Sequence, residues 1–159
     1  MKFVPYRRKR EGRTNYKKRL NLLMSGMHRI VIRKTNKNII LQIVDYDENG
    51  DKVLITTNSS ELKKYGWEHA TGNISAAYLT GMLAAKKSLK KNVKTAIIDI
   101  GLQTPSKGSR LFAAVKGAID GGLIINCSEE AFPKEERIIG KHINDSLSKM
   151  FDNTKNNIN

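Results

Sequence analysis

Apolar positions recur along the chain with two different periods. Between residues 29 and 57 they crowd into short β-prone runs: Arg29-Ile-Val-Ile-Arg33, Asn38 to Tyr46, and Lys52 to Thr57. The segments between them, Lys34-Thr35-Asn36-Lys37 and Asp47-Glu48-Asn49-Gly50-Asp51, read as turns. Asn49-Gly50 is a hairpin signal because both residues tolerate positive φ. Three strands on short turns predict an antiparallel meander. From 72 to 91 the period lengthens. Ile74, Tyr78, Met82, Ala85 and Leu89 hold one face of a long helix, and Gly81 and Ala84 permit close approach to a sheet. Thr95 to Asp99 then reads as a buried, parallel strand. A helix over 109–120 follows, with Leu111, Phe112, Val115 and Ile119 inward and Gly121-Gly122 at its end. Leu123 to Ile125 reads as a further short strand. A last helix spans Pro133 to Phe151, carrying Ile139, Ile143, Leu147 and Met150. A meander followed by α-β-α-β-α predicts the α/β class, a mixed sheet with helices packed on it.

The start of the chain follows neither period. Residues 1–13 contain Pro5 and Gly12 and read as an extended arm. Residues 14–26 read as a short helix capped by Thr14 or Asn15 and stopped at Gly26, with Tyr16, Leu20, Leu23 and Met24 as an apolar stripe. The expected organisation is a basic arm and short helix over 1–28, one α/β domain over 29–151, and a polar, Asn-rich disordered tail over 152–159.

Charge sharpens this division. The chain of 159 residues carries 29 Lys and Arg against 15 Asp and Glu, a formal net charge of +14. Residues 1–37 hold 13 of the cations and one acid, Glu11, so +12 of that charge lies in the first quarter. Such self-repulsion is unfavourable unless a polyanion offsets it, which points to nucleic acid. Tyr6 beside Arg7, Arg8, Lys9 and Arg10 interleaves a stacking ring with cations, as RNA binding requires. Arg13, Tyr16, Lys17, Lys18 and Arg19 continue the basic surface onto the helix. The first hairpin turn is basic and the second acidic, so RNA is expected at the first.

Other chemistries fit less well. One cysteine, Cys127, allows neither a disulfide framework nor a Cys-rich zinc site and accords with a reducing cytosol. No apolar run is long enough to span a membrane. The basic start lacks the apolar stretch of a signal peptide, and it leads straight into patterned sequence, unlike a presequence. The apolar side of the 14–26 helix is narrow and lacks Trp and Phe, so a membrane partner is not expected. The loop Gly101 to Arg110 bears glycines and opens a helix, where amides accept phosphate. Lys107 and Arg110 flank it, but no Walker sequence is present. Its alternative is an ordinary β–α turn capped by Ser106 or Ser109. Asp45, Asp99 and Asp120 raise the idea of a nuclease triad, but no fourth acid or histidine stands at a convincing spacing. His28, His69 and His142 form no ligand pair, so no metal, cofactor or catalytic residue is expected. Trp67 near Lys63, Lys64 and His69 reads as a lid over the core edge in preference to a base-stacking platform. Lys86, Lys87, Lys90 and Lys91 suit a helix C-terminus. Glu129, Glu130, Glu135 and Glu136 should turn from RNA or pair with basic residues.

Four stretches together carry a family resemblance: R-R-K-R-E-G-R-T-N-Y-K-K-R-L (7–20), R-I-V-I-R-K-T-N-K-N-I-I-L-Q-I-V (29–44), T-P-S-K-G-S-R-L-F-A-A-V-K-G-A-I-D-G-G-L (104–123) and F-P-K-E-E-R-I-I-G-K-H-I (132–143). The chain, to about Ile143, resembles large-subunit ribosomal protein eighteen in its archaeal and eukaryotic branch. The resemblance implies a cytoplasmic, structural, non-enzymatic constituent of the large ribosomal subunit. It further implies that the protein binds 5S rRNA in the central protuberance, touches the large-subunit rRNA and neighbours protein five. It also implies a ribonuclease-H-like core without that activity. By position, Arg7–Arg13 and Lys17–Arg19 match the family's basic N-terminus. Arg29, Arg33, Lys34, Asn36 and Lys37 match its strand and turn, and Ser106, Lys107, Gly108 and Arg110 match its loop. The chain departs from the family at Met27-His28-Arg29, where a proline is expected before the arginine. It departs again at Asn126-Cys127, where the branch carries Pro-His. The alternatives are an RNA-processing enzyme on a ribonuclease-H-like scaffold and a basic adaptor that binds protein.

Overall fold

A computed structural model describes residues 4–158, and expectations for residues 1–3 and 159 lie outside the described residues. Strands β1 (Arg29–Lys34), β2 (Ile39–Asp45) and β3 (Lys52–Asn58) form the antiparallel meander, and β4 (Ile97–Asp99) joins parallel to β1, giving the order β3-β2-β1-β4. The sheet is therefore mixed, as the α/β pattern predicts. The β2–β3 register shifts between Ile43 and Val44, where β3 carries Leu54 as an extra residue. Side chains alternate between faces along a strand. Ile30 and Ile32 of β1 join Leu41, Ile43 and Ile55 in the core, beneath helices α3 (Ile74–Lys90) and α4 (Arg110–Asp120).

α3 is buried on nearly every side. One flank meets the sheet and α4, while another meets a second apolar cluster built from Leu62, Trp67, Leu147, Phe151 and Ile158. Gly81 and Gly117 let α3 and α4 touch backbone to backbone, since a Cβ on Gly81 would strike the Ala114 carbonyl and one on Gly117 the Tyr78 carbonyl. Gly81 thus makes room for a helix, not for the sheet. Trp67, 1% exposed, donates from Nε1 to the Ala70 carbonyl at 3.3 Å and belongs to the core, in keeping with the lid reading. Lys87 reaches Glu61 at 2.5 Å and Lys91 the Leu54 carbonyl at 2.7 Å, so both pin the end of α3 to neighbouring elements.

Several expectations are corrected. Leu123–Ile125 forms no strand; it makes one parallel bridge, Thr95↔Ile124. The final helix is two, α5 (Glu135–Ile139) and α6 (Asp145–Ile158), because Gly140 ends α5 in the left-handed conformation at φ +85°. The segment 152–158 is helical, not disordered, and buries Thr154 and Ile158. Phe112 is only half-buried. The arm, expected to be extended, makes one helical turn, α1 (Arg7–Arg10). Helix α2 (Tyr16–Leu23) exists and Asn15 caps it, its Oδ1 accepting from the Lys18 amide at 3.0 Å. Its expected apolar stripe is divided: Tyr16 and Leu23 are half-buried, whereas Leu20 is 59% and Met24 78% exposed.

Candidate RNA interface

The sheet face opposite α3 and α4 carries Arg29, Val31 and Arg33 of β1, with Gln42 and Val44 beside them on β2. At its far end two arginines and two aspartates alternate. Arg19 of α2 makes a bidentate pair with Asp51, Nη1–Oδ2 2.8 Å and Nη2–Oδ1 2.7 Å. Arg29 donates from Nη1 to Asp99 Oδ2 at 3.1 Å, and its Nη2 sits 2.7 Å from Asp51 Oδ2 as an ion pair outside hydrogen-bonding direction. Asp99 Oδ1 also accepts the Gly101 amide at 2.8 Å, which holds the turn after β4. Burial alone would raise the Asp51 pKa, but the hydrogen bonds from Arg19 and the positive charge of Arg29 beside it outweigh burial and hold the carboxyl below its ordinary range. The hydrogen bond to Asp51 in turn raises the Arg19 pKa.

Arg29 is therefore withdrawn as an RNA contact. At 2% exposure, between two carboxylates, it joins α2 and the β2–β3 turn to β4. Arg19 is likewise committed to Asp51, half-buried, and acts first as the mooring of α2. Lys18 supplies a second tether, Nζ to the Gly101 carbonyl at 3.3 Å. Between α2 and the sheet lies a cleft of about 510 Å³. Arg8 and Arg13 of the arm overhang it, and Arg33 lies at the Gly101 end. Arg8 Nε donates to Thr14 Oγ1 at 2.9 Å, and the Tyr6 and Tyr16 rings meet with centroids 5.3 Å apart. Arg7 and Arg13 share Glu11, the one acid of the segment, at 3.5 and 3.1 Å. Lys9, Arg10 and Lys17 point into solvent.

The opposite end of β1 is assembled differently. The turn 34–38 is closed by Thr35, whose Oγ1 accepts from the Asn38 amide at 2.9 Å, and this leaves Lys34, Asn36 and Lys37 exposed. Gln103 clasps the turn to β4: its Nε2 donates to the Ile32 carbonyl at 2.7 Å and its Oε1 accepts the Lys34 amide at 3.3 Å. Arg110 does not flank open amides. Its Nη1 donates to the Gly72 carbonyl at 2.6 Å and, at 3.4 Å, to that of Thr35. It thereby locks the start of α4 to the start of α3 and the basic turn, and both helices present their positive N-terminal ends here. Ser106 is exposed, and Gly108, at φ +68°, donates its amide to the Ala131 carbonyl at 2.9 Å. Ser109 precedes α4 without a side-chain cap. Lys107 pairs with Glu130 at 2.9 Å, so the acidic segment meets a basic residue of its own chain.

The aspartates of the imagined triad do not converge: Asp99 holds Arg29, Asp120 accepts from the Tyr78 hydroxyl at 2.8 Å, and Asp45 lies 3.3 Å from His28 Nδ1. Burial pushes the Cys127 thiol up, which keeps it protonated and weakly nucleophilic. No group of three metal-binding side chains is close enough to hold an ion among the described residues, and no helix there is long and apolar enough to cross a membrane. Asp51 and Gln103 were missed from sequence. Asp51 stands in a turn whose acidity looked directed away from the basic segment, and a lone glutamine in a loop carries no signal.

Comparison with known proteins places the chain in a family. The family model described as "Ribosomal large subunit proteins 60S L5, and 50S L18" matches residues 2–96 and 90–128. "Large ribosomal subunit protein uL18" of Methanothrix thermoacetophila is 49% identical over 142 residues, covering 89% of this chain and 84% of the relative. The protein of the same name from Methanoregula boonei is 48% identical over 153 residues, covering 96% and 88%. That of Methanoculleus marisnigri is 50% identical over 141 residues, covering 89% and 81%. With a family model matched over most of its length and identity of this extent over most of both chains, the protein belongs to the family of ribosomal large-subunit proteins that contains 60S L5 and 50S L18.

Proposed function

We propose that the chain is a structural constituent of the large ribosomal subunit, residing with it in the cytoplasm, that binds 5S rRNA and helps anchor it in the central protuberance. The observation that carries this reading is the placement of the exposed cations. Arg7, Arg8, Lys9, Arg10, Arg13, Lys17 and Lys18 stand on the arm and α2, beside the cleft over this sheet face, and Arg33, Lys34 and Lys37 stand at the β1–β2 turn. Most of them lack a carboxylate partner among the described residues. Neutralising phosphates and releasing their counterions supplies affinity. Asn36 adds a polar contact, and Tyr6 offers a ring to an unpaired base. Ser106, Lys107 and Gly108 line a second, weaker contact, since Lys107 must leave Glu130 to reach a phosphate. The large-subunit rRNA and neighbouring ribosomal proteins, protein five among them, complete the surroundings. The role is non-catalytic, because the chemistry on this face is charge neutralisation and shape.

The test is a binding assay of the purified chain against 5S rRNA and a size-matched unrelated RNA at one salt concentration. Tighter binding of 5S rRNA is expected. Equal affinity leaves only generic polyanion binding and overturns the reading. Divalent-metal-dependent RNA cleavage that Asp99→Asn abolishes would replace it with a processing enzyme.

A further inference from the structure

The alternating arginines and aspartates account for one end of the α2–sheet cleft and leave the other end unexplained. Among the described residues Arg33 donates only to backbone, from Nη1 to the Ile32 carbonyl at 3.1 Å and to the Asp99 carbonyl at 3.4 Å. Its guanidinium lies flat against Gly101, where a Cβ would come within 3.1 Å of Nη1, so the missing side chain is what lets it rest at the cleft edge. Lys18 and Arg8 likewise meet only neutral oxygens among the described residues, the Gly101 carbonyl and Thr14 Oγ1. Arg29, nearly fully buried in the floor, leaves Nε without a hydrogen-bond partner. The arginines and aspartates of the network cancel, so the cleft keeps an excess of positive charge. Its floor is apolar: Val31 and Val44, 8% and 5% exposed, reach it from adjacent strands through a narrow strip of surface, and Tyr16 also lines it.

A cationic edge beside an apolar floor matches the two halves of a nucleotide. The volume, about 510 Å³, falls in the range of small-ligand sites, roughly 300–1,000 Å³. Bases within a duplex are stacked and cannot enter; an unpaired one can be splayed out onto an aromatic or apolar surface. We propose that this cleft receives a single unpaired nucleotide of RNA, its base against Val31 and Val44 and its phosphate between Arg33, Lys18 and Arg8. The proposal rests on the reading of the chain as an RNA-binding protein and adds a recognition element to it: a splayed-out nucleotide, in addition to backbone phosphates.

The test follows the valine methyl resonances of the full chain by NMR during three separate titrations. The probes are a single-stranded RNA trinucleotide, a blunt RNA duplex, and inorganic phosphate. The trinucleotide should shift the Val31 and Val44 methyls saturably, and neither the duplex nor phosphate should do so. Arg33→Gln, at an exposed position, should weaken trinucleotide binding about tenfold. Valine methyls that ignore the trinucleotide overturn the proposal. So do methyls that respond as strongly to phosphate or duplex, or an Arg33→Gln chain of unchanged affinity. A chain that selects 5S rRNA while its valines ignore the trinucleotide loses only the cleft. Equal binding of 5S and unrelated RNA with shifted valines loses only the 5S assignment.

Discussion

Removal of the arm should halve the salt dependence of RNA binding. Residues 1–37 hold 13 Lys and Arg. Arg29 is buried, Arg19 is held on Asp51, and Lys2 lies outside the described residues, which leaves ten exposed cations. Each phosphate neutralised adds about 0.7–0.9 to the slope of log affinity on log salt. With about six to eight engaged, the slope is about −4 to −7, and affinity falls by roughly three orders of magnitude between 50 and 200 mM salt. Deleting residues 1–13 takes away Arg7, Arg8, Lys9, Arg10 and Arg13, five of the ten. The slope should then fall to roughly half, about −2 to −4. Fluorescence anisotropy of labelled 5S rRNA across a salt series measures both slopes. A truncated chain with the slope of the full chain refutes the assignment of the arm to phosphate binding, whatever its affinity at any one salt concentration.

The other predictions concern how the scaffold holds this surface. Arg29→Met strands the Asp99 carboxylate and should cost about 3–5 kcal/mol in urea unfolding, with the RNA salt slope unchanged; a lowered slope would mean that Arg29 does reach phosphate. The depressed Asp51 carboxyl contributes stability that is present above its unfolded pKa and is lost as pH falls through its lower folded value. Asp51→Asn should therefore flatten the acid limb of the stability–pH curve, and an identical limb would refute the coupling. Gly117→Ala drives a methyl into the Tyr78 carbonyl, so α3 and α4 must part, at a cost of about 1–3 kcal/mol or more by thermal denaturation. A chain truncated after Phe151 loses buried Thr154 and Ile158 and should unfold at lower denaturant, whereas an unaltered midpoint would restore the view of 152–158 as a dispensable tail.

The parts of the fold that were legible from sequence are those set by local pattern. The β-prone run Arg29-Ile-Val-Ile-Arg33 marks β1 as a strand, and its Ile30 and Ile32 enter the core. The Asn49-Gly50 turn and the long apolar face of α3 needed no distant information. Two errors came from patterns that run on past a break or under a disguise. Ile139, Ile143 and Leu147 keep helical spacing straight through Gly140, so periodicity alone could not see the left-handed residue that divides α5 from α6. Leu147, Phe151, Thr154 and Ile158 continue one helical face to the end of α6, but the asparagines between them gave the segment the composition of a disordered tail. The outward turn of Leu20 and Met24 has another cause. α2 is positioned by the Arg19–Asp51 pair, and the side of a helix that carries an ion pair need not be its most apolar side.

The candidate site was half legible for a related reason. Arg29 and Arg33 lie on the same strand and the same face, four residues or about 13 Å apart, and look equivalent in sequence. They part company because partners from far along the chain arrive at only one end. Asp51 from the β2–β3 turn and Asp99 from the end of β4 enclose Arg29, while Arg33, among the described residues, donates only to carbonyl oxygens. The +12 segment is thus spent unevenly: part of its charge is neutralised internally to moor α2, and the rest is left exposed on the arm and at the basic turn. This division has a consequence for assembly. An RNA phosphate that competed for Arg19 would uncover Asp51 and repel itself, whereas one that approaches Arg33, Lys34 or Lys37 meets no carboxylate within ion-pair distance of them among the described residues and faces the N-terminal ends of α3 and α4. RNA should accordingly engage the arm and the turn end of β1 first, with the arginine–aspartate end left intact as the mooring of α2.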